Sequence, residues 1–462
     1  MHLHDTICAL STPLGQGALA LIRLSGPDAY TVMRKVFEPK NQQEAFASHK
    51  VYFGEIRDDD QWIDEVLVTY FKKPHSYTGE DMVEISCHGS SYIQKCILEL
   101  LIRKGCRMAE GGEFSLRAFM NGKMDLLQTE AVGDLIASQS KLSHQLAFEH
   151  MRGGFSLKIK QLRADLLRFA SLLELELDFA EEEVEFADRN EIQMLIVNIK
   201  IEIHALLDSF QKGNVLKNGI PVAIVGKPNV GKSTLLNTLL NEDRAIVSDI
   251  PGTTRDTIED CINIQGYTFR FIDTAGLRAS TDVIESFGIE RSYKAMDEAM
   301  LILYMVDKEG DDKEEIATLR KKYTDKTIYV LQNKIDLLNA ACEQEDHEIL
   351  FISAKKKIHI DRIMQALLTF AEGLQSKGET LISNIRHYEA LHKAYDSLLQ
   401  VETAFDQKLP TDLVMVHVKD VLMHLWPWTS VNPSPIWVKL PAKLPTTTFY
   451  IRFLRIFVSV NS

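Results

Sequence analysis

Hydrophobic and polar residues follow three successive patterns along the chain, and each pattern predicts a different kind of structure. Residues 1–120 combine short β-type runs such as DMVEISCHG with one helical pattern, SSYIQKCILELLIRKG, which predicts an α+β domain. Residues 121–216 contain long stretches with apolar residues at i, i+3, i+4 and i+7, which is typical of amphipathic helices. Residues 217–376 alternate buried strands with helical stretches, as expected of a doubly wound α/β domain with a parallel sheet.

Helical periodicity returns in residues 377–425, in stretches such as NIRHYEALHKAYDSLLQVETAFDQ. The simplest interpretation is a discontinuous helical domain into which the α/β domain of residues 217–376 has been inserted. A chain of 462 residues is also too long for a single hydrophobic core, so we expect several domains. Its 45% hydrophobic and 25% charged residues are ordinary for a globular protein.

Charge and cysteine usage exclude some classes of function. A formal net charge of -13 argues against a protein that coats nucleic acid by charge alone, because that mode of binding needs an excess of Lys and Arg. The six cysteines form no CxxC pair, so neither a zinc site nor a disulfide framework is indicated. The N-terminal residues do not resemble a secretory leader and no apolar run is long enough to span a membrane, so we expect a cytoplasmic protein with no membrane partner.

A phosphate-binding motif lies near the middle of the chain. GKPNVGKS, from Gly226 to Ser233, follows the apolar strand PVAIV and precedes the helical run TLLNTLL. In such a loop the glycines let backbone N–H groups converge on phosphate oxygens. Lys232 is predicted to reach the β- and γ-phosphates, and the Ser233 hydroxyl is predicted to bind Mg²⁺.

Four further motifs follow in the order expected of a GTP-binding domain. PGTTRD supplies Thr254 as a second Mg²⁺ ligand, and DTAG supplies Asp273 and the backbone N–H of Gly276. NKID offers Asp336, whose carboxylate can accept both N–H groups of the guanine edge, and SAK would close over the base. The residues predicted to contact GTP are Gly226, Asn229, Val230, Gly231, Lys232, Ser233, Thr234, Ser248, Thr253, Thr254, Asp273, Thr274, Ala275, Gly276, Asn333, Lys334, Asp336, Ser353 and Ala354.

Leu277 occupies the position where Ras-like proteins carry a water-orienting glutamine. Without that glutamine, a monovalent cation could supply positive charge between the β- and γ-phosphates. Asn229 is placed to bind such an ion through its amide oxygen. The alternative interpretation is that Asn229 is only a turn residue.

The central motifs GKPNVGKST, SDIPGTTRD, DTAGLR and NKID resemble those of the TrmE–Era–EngA-like GTPases. The flanking segments SYTGEDMVEISCHGS, GEFSLRAFMNGKMDLLQTEAVGDLI and LELELDFAEEEVEF narrow the resemblance to the MnmE (TrmE) family of tRNA-modification GTPases. The resemblance extends from residue 1 to about residue 425. It implies a multidomain protein with an α+β folate-binding domain, a discontinuous helical domain and an inserted Ras-like P-loop domain.

The resemblance implies that the N-terminal domain binds a tetrahydrofolate derivative, in the 5-formyl or methylene form, as one-carbon source. Arg23, Glu84 and Lys123 fall on the family's folate-contacting positions. The chemistry agrees, because a folate offers a glutamyl carboxylate for cations and a pterin edge of N–H donors for a carboxylate. The alternative for each of these residues is an ordinary surface ion pair.

The resemblance also implies that the GTPase domains of a homodimer meet across K⁺ and that this contact activates hydrolysis. The expected K⁺ ligands are Asn229, Ser248, Ile250 and Thr253. Glu285 falls where the family's catalytic glutamate orients the attacking water through a second water, and it joins Lys232 and Asn229 as a predicted catalytic residue. Taken by itself, Glu285 would be interpreted as a solvated surface glutamate.

The implied reaction places an aminomethyl or carboxymethylaminomethyl group on C5 of the wobble uridine, U34, of tRNA. It is carried out jointly with the flavoprotein MnmG, which uses FAD and NADH, in a heterotetramer. Two alternatives stay open at this point. The first is a regulatory GTPase of the Era or EngA type, and the second is a variant that hydrolyses GTP without modifying tRNA.

The segment after about residue 425 departs from the family pattern. Residues 426–462 contain three of the four tryptophans and five of the 13 prolines, but no Asp or Glu. The resemblance implies a terminal helix ending in Cys-Ile-Gly-Lys. If each codon is shifted by two bases, Ile456 to Ser462 can encode Phe-Cys-Ile-Gly-Lys followed by a stop. We therefore interpret residues 426–462 as an aberrant tail, produced by a frameshift between about Leu425 and Trp437.

Overall fold

A computed structural model describes residues 5–41, 45–178, 189–241, 246–247, 260–272, 285–307, 312–337, 349–374, 381–407 and 409–425. These residues divide into two compact units, of which the first ends at Glu130 and the second begins at Ala131. Among the described helices, none has both the length and the apolar character needed to cross a membrane.

The first unit is built on a seven-stranded sheet with the order β3-β4-β5-β6-β2-β1-β7. All neighbouring strands in it are antiparallel except β1 and β7, which are parallel. Its strands are β1 Ile7–Leu10, β2 Leu19–Ser25, β3 Phe37–Pro39, β4 Val51–Asp58, β5 Gln61–Phe71, β6 Met82–His88 and β7 Arg107–Met108.

Alternate residues of the central strands give this sheet one buried face. Ile22, Val83 and Ile85 are fully buried, and they share a core with Ile97 and Leu100 of the longest helix of this unit. The helices of the unit are α1 Ala29–Val36, α2 Ser91–Arg103 and α3 Glu113–Met120. The α+β fold expected for the N-terminal part of the chain is therefore present.

A second seven-stranded sheet has the order β14-β13-β12-β8-β11-β10-β9. Five of its strands run parallel, whereas β10 is antiparallel to β11 and β9 is antiparallel to β10. The sequence pattern predicted a parallel sheet, and the structure adds this antiparallel edge because a two-residue turn can join only antiparallel strands. The strands are β8 Ile220–Gly226, β9 Ile246–Val247, β10 Asp260–Ile264, β11 Tyr267–Phe271, β12 Leu301–Val306, β13 Thr327–Gln332 and β14 Ile349–Phe351.

Both faces of this second sheet are covered, which explains why its central strands are apolar throughout. Val222 and Ile224 belong to one core cluster, whereas Ala223 and Val225 belong to the cluster on the other face. The first cluster includes residues of α8 Lys232–Leu240 and α11 Ile360–Gly373, and the second includes residues of α9 Glu285–Glu298 and α10 Lys313–Lys322.

Helices from before and after this sheet in sequence pack against each other. The helical elements around the sheet are α4 Leu126–Ala137, α5 Lys141–Met151, α6 Gly154–Asp178, α7 Arg189–Asn218, α12 Ile385–Asp406 and α13 Thr411–Leu425. Helix α13 contacts α6 and α12, and α12 contacts α7. The predicted multidomain fold class, with a discontinuous helical part, is confirmed. The predicted boundaries at residues 120, 216, 376 and 425 stay predictions, and residues 426–462 lie outside the described residues.

Candidate functional site

The loop that carries the phosphate-binding motif requires two glycines. Strand β8 ends at Gly226 and α8 begins at Lys232, so the loop spans the turn between them. Gly226 has φ 141° and a Cβ there would lie 2.3 Å from the carbonyl oxygen of Met305. Gly231 has φ 106° and a Cβ there would lie 2.3 Å from Nδ2 of Asn333. A side chain at either position would therefore displace the loop from its neighbours.

Lys232 curls over the same loop. Its ammonium donates hydrogen bonds to the carbonyl oxygens of Gly226 at 2.7 Å and Lys227 at 2.8 Å. Burial lowers the pKa of this ammonium because the charged form loses hydration. The positive end of the α8 dipole and its first N–H groups face the same region, so the loop and the helix together form a site suited to a polyphosphate.

The other motif residues of the loop lie at its surface. Ser233 and Thr234 are exposed in the first turn of α8, where their hydroxyls and N–H groups can reach a bound anion or cation. Asn229 is exposed with φ 61°, a left-handed conformation that asparagine tolerates. That conformation fits a turn residue as well as a cation ligand, and the role of Asn229 as a cation ligand stays a prediction.

Asn333 joins three segments of the second sheet. Its Nδ2 donates to the carbonyl oxygen of Val230 at 2.7 Å, and its Oδ1 accepts from the backbone N–H of Ala354 at 2.9 Å. The side chain is almost fully buried, so each of these bonds is protected from water. A second link runs from Oγ1 of Thr238 to the carbonyl oxygen of Ala354 at 3.0 Å.

Asp336 is oriented by a neighbouring hydroxyl. Ser353 Oγ donates to Asp336 Oδ1 at 2.5 Å, and Ser353 itself is fully buried. Lys334 lies between Asn333 and Asp336 in sequence, has φ 65°, and donates from Nζ to Asp307 Oδ2 at 3.1 Å. The P loop, residues 333–336 and residues 353–354 thus meet at the carboxyl ends of β8, β13 and β14, where ligands bind in open α/β sheets.

Several predicted site residues lie outside the described residues. The structure does not describe Ser248, Ile250, Thr253, Thr254, Asp273, Thr274, Ala275 or Gly276. Glu285 is the first residue of α9, but its side chain is not described. Their predicted roles as nucleotide, metal or catalytic residues therefore stay predictions.

In the first unit, Arg23 and Glu84 lie opposite each other on β2 and β6. The Arg23 guanidinium donates to one carboxylate oxygen of Glu84 from Nε at 3.0 Å and from Nη2 at 2.7 Å. The same guanidinium lies over two aromatic rings, 5.2 Å from the centre of Tyr77 and 5.6 Å from that of Phe114. Sequence reasoning missed both rings, although Tyr77 and Phe114 belong to the segments that carried the family resemblance.

Lys123 is held by the loop that carries Tyr77. Its Nζ donates to the carbonyl oxygen of Pro74 at 3.1 Å, and a Cβ at Gly79 would lie 3.2 Å from its Cγ. Asn121 Nδ2 also donates to the carbonyl oxygen of Thr78 at 2.8 Å. The loop of residues 74–80 therefore contacts Arg23 through Tyr77 and Lys123 through its backbone, so it connects the three residues predicted from the family resemblance.

A buried charge network supports this loop. Arg117 has a side chain that is 1% exposed, and it donates to Asp5 at 2.6 Å, to Glu113 at 3.1 Å and to Glu80 at 3.2 Å. Burial by itself raises the pKa of Glu113. Hydrogen bonds from Arg107, from the N–H of Glu110 and from Arg117 together lower the pKa by more than burial raises it, so the pKa lies below its ordinary value. Because Glu80 belongs to the loop that carries Tyr77, this network fixes one end of the loop.

Two family models match the chain. The model described as GTP-binding protein TrmE N-terminus matches residues 6–123, and the model described as MnmE helical domain matches residues 126–428, which is more than half of the chain. The chain belongs to the MnmE family. The family assignment made from the flanking sequence segments is therefore confirmed.

Curated MnmE relatives align with nearly the whole chain. A tRNA modification GTPase MnmE of Flavobacterium johnsoniae is 49% identical, and the alignment covers 90% of this chain and 93% of that protein. The MnmE protein of Cytophaga hutchinsonii is 50% identical over 91% of this chain and 93% of its own. That of Bacteroides fragilis is 48% identical over 91% of this chain and 94% of its own.

Among solved structures, the G domain of the T. maritima FeoB iron transporter is 22% identical, and the match covers 33% of this chain and 98% of that domain. Its TM-score of 0.24 is too low to add to the MnmE assignment. In the part of the chain that the structure describes, no three His, Cys, Asp or Glu side chains are grouped so that they could hold a metal ion.

Proposed function

We propose that this chain is a GTPase that acts in tRNA modification, that it depends on K⁺, and that it works with the flavoprotein MnmG. The GTPase role in tRNA modification follows from membership of the MnmE family, whose curated relatives carry that name. The observation that carries the nucleotide part is the meeting of the P loop with Asn333, Asp336 and Ser353 at one edge of the second sheet.

The residues at this edge fit GTP at both ends of the nucleotide. Lys232 donates to two carbonyl oxygens of its own loop, and phosphate oxygens would be better acceptors for an ammonium that burial has already dehydrated. At the other end, Ser353 holds Asp336 in one orientation, so its carboxylate can accept the two N–H groups of guanine. Adenine has no such pair of donors on that edge.

Two cations are part of the proposal. Ser233 is exposed at the start of α8, where its hydroxyl can bind Mg²⁺ together with Thr254. K⁺ would be bound by Asn229, Ser248, Ile250 and Thr253, and it would supply the positive charge that a Ras-type protein obtains from other groups. Because Leu277 cannot orient water, we assign that role to Glu285.

The first unit is proposed to bind a tetrahydrofolate derivative, in the 5-formyl or methylene form. Arg23 and Glu84 present a cation and a carboxylate side by side, which suits a ligand that has both an anionic group and N–H donors. Tyr77 and Phe114 add flat apolar surfaces at the same place, as an aromatic ring system requires. Lys123 supplies a second cation from the adjoining segment.

The proposed assembly is a homodimer that joins MnmG, with its FAD and NADH, in a heterotetramer that modifies C5 of U34 in tRNA. A formal net charge of -13 supports the sharing of tRNA binding, because this chain has no excess of cations with which to hold a polyanion alone. We propose the cytoplasm as its location, where tRNA and GTP are both found.

A K⁺-dependence measurement tests the function. GTP hydrolysis by the full chain is measured in buffers that contain KCl or NaCl at equal ionic strength, with and without MnmG. We expect hydrolysis to be faster in KCl by at least about tenfold, since the cation contributes directly to transition-state charge. Equal rates in the two salts would favour a regulatory GTPase of the Era or EngA type. Hydrolysis of GTP with no modification of added tRNA would favour the variant that hydrolyses GTP without modifying tRNA.

A further inference from the structure

The turn between β10 and β11 contacts the helical part of the second unit. Gln265 and Gly266 have φ of 51° and 93°, which is the two-residue turn that matches the twist of a β-hairpin. Asn263 Oδ1 accepts from the N–H of Gly266 at 2.9 Å and so closes this turn. Its Nδ2 donates to the carbonyl oxygen of Gln139 at 3.1 Å, in the segment that leads into α5.

The same turn packs tightly on the first residue of α5. A Cβ at Gly266 would lie 2.9 Å from Cβ of Lys141, so little more than the glycine backbone fits there. The N-terminus of α5 is itself fixed, because Ser140 and Ser143 bond each other's backbone N–H groups in a capping box. The hairpin turn therefore contacts a well-ordered helix start.

In sequence, the hairpin lies between the segment that contains Thr254, a predicted Mg²⁺ ligand, and the segment that contains Asp273, a predicted GTP contact. Strand β10 begins at Asp260, after the segment that contains Thr254, and β11 ends at Phe271, two residues before Asp273. The two strands are paired from Asp260 opposite Phe271 to Ile264 opposite Tyr267. This paired ribbon spans about 13 Å at the usual rise per residue. Movement at its nucleotide end would therefore reach the turn.

Two more contacts join the same helices to segments next to the second sheet. Lys217, near the end of α7, donates from Nζ to Asp134 Oδ1 of α4 at 2.7 Å. His150 of α5 has its Nε2 2.8 Å from the carbonyl oxygen of Leu381, in the segment that leads from the sheet back to α12. Helices α4 and α5 and the segment between them thus contact the hairpin turn and the two segments that connect the sheet to the helices.

We propose that Asn263 is a positioning residue that couples nucleotide binding at the P loop to α4 and α5. The inference rests on the proposed GTP site and adds to it the route by which the bound nucleotide influences the helical part. Asn263 acts through the turn, not on the nucleotide. Because coupling of this kind is reciprocal, the loss of Asn263 should weaken the coupling and also change GTP affinity, by no more than about twofold.

The substitution Asn263→Asp separates the two bonds of this side chain. It keeps an oxygen for the N–H of Gly266 and replaces the donor to Gln139 with a carboxylate oxygen that faces a carbonyl. The matched control is Gln265→Asn in the same turn, because Gln265 is exposed and asparagine tolerates its positive φ. Lys141→Ala is a second variant, which trims the side chain against Gly266.

The experiment measures amide hydrogen exchange of residues 134–151 in the full chain, with GDP and with a non-hydrolysable GTP analogue. We expect the two nucleotides to give different exchange in wild type and in Gln265→Asn. In Asn263→Asp we expect the difference to fall by at least about half, and in Lys141→Ala by a smaller amount, while analogue affinity stays within about twofold in both. Thermal unfolding of each variant confirms that it is folded.

Two results would overturn the inference. One is wild-type protein that binds both nucleotides but shows the same exchange at residues 134–151 with each. The other is Asn263→Asp and Lys141→Ala proteins that both keep the full difference. If wild-type protein binds neither GDP nor the analogue, the proposed function fails as well, so the two failures are distinguishable.

Discussion

Asn333 and Val230 are joined by a hydrogen bond of 2.7 Å from the Asn333 amide to the Val230 carbonyl, which attaches the P loop to the end of β13. The other end of the same amide accepts from Ala354 at 2.9 Å. One buried side chain therefore sets the distance between the phosphate-binding and base-binding parts of the nucleotide site. This relationship makes Asn333 a structural element of the site as well as a predicted contact to GTP.

Replacing Asn333 with Ala should weaken GTP binding through loop geometry. The substitution leaves a buried carbonyl and a buried N–H without their side-chain partner, at a cost of about 1–3 kcal/mol for each group. We expect the Kd for GTP to rise at least about tenfold, as measured by fluorescence titration with a labelled nucleotide. Thr238→Ala, which removes only the bond to Ala354, should have a smaller effect. Equal effects of both variants would contradict this explanation.

Replacing Asp336 with Asn should change which base is bound. The carboxylate of Asp336 accepts N–H groups, whereas an amide can donate to the C2 carbonyl of xanthine. We expect the affinity for GTP to fall at least about tenfold and the affinity for xanthosine triphosphate to rise, as measured by competition binding. Asp307→Asn, at the partner of Lys334, is the matched control and should not change the base preference. An unchanged preference in Asp336→Asn would remove Asp336 from the base site.

Replacing Tyr77 with Leu should weaken folate binding without affecting GTP. The ring of Tyr77 lies under the Arg23 guanidinium, and its hydroxyl is 2.7 Å from that of Ser115. Loss of the ring removes an aromatic surface and loosens Arg23, so we expect affinity for 5-formyltetrahydrofolate to fall about tenfold in calorimetry. Tyr77→Phe, which keeps the ring, should retain most of the affinity. If Leu and Phe bind equally well, the ring is not part of the site.

Acid should destabilise the first unit through Asp5 and Glu113. Burial raises the pKa of both carboxyls, but hydrogen bonds from Arg107 and Arg117 lower both below their ordinary values of 3.8 and 4.5. Because the folded-state pKa values are depressed, this stabilisation is fully present above pH 4.5 and is lost as the pH falls through the folded values. Chemical denaturation at neutral pH and at successively lower pH should show this loss.

The variant Glu113→Gln checks that assignment. It leaves Arg117 buried with fewer anionic partners, so we expect a loss of about 3–5 kcal/mol at neutral pH and a weaker dependence on acid. The control is Glu65→Gln, which breaks the exposed pair with Lys40 and should leave stability nearly unchanged, because water screens exposed charges. An equally steep loss of stability in acid for Glu113→Gln would show that other groups are responsible.

The frameshift hypothesis predicts a specific result from DNA sequencing. Codons 415–462 in the source genome should contain one base more or fewer than this chain implies, so that the last codons encode Phe-Cys-Ile-Gly-Lys and a stop. The helical-domain match ends at residue 428, inside the interval proposed for the change. We expect the 462-residue form to bind GTP but to modify tRNA poorly compared with the restored form. Full modification activity of the 462-residue form would reject the predicted loss.

The elements and the chemistry of the nucleotide site could be predicted from local sequence patterns. Apolar strands of six or seven residues alternate with amphipathic helices, and this periodicity depends only on local side-chain order. The P loop could be found because its glycines and Lys232 are needed at fixed spacing on one short loop. The family followed from long contiguous segments, which also need no tertiary information.

Contacts between residues that are distant in sequence could be seen only in the folded protein. Asn333 lies 103 residues from Val230, and the contact of Asn263 with Gln139 spans 124 residues, so no local pattern announces either bond. The stacking of Tyr77 and Phe114 on Arg23 was missed for the same reason. Side-chain periodicity fixes which face of an element is apolar, whereas the pairing of polar groups across elements depends on how the elements pack.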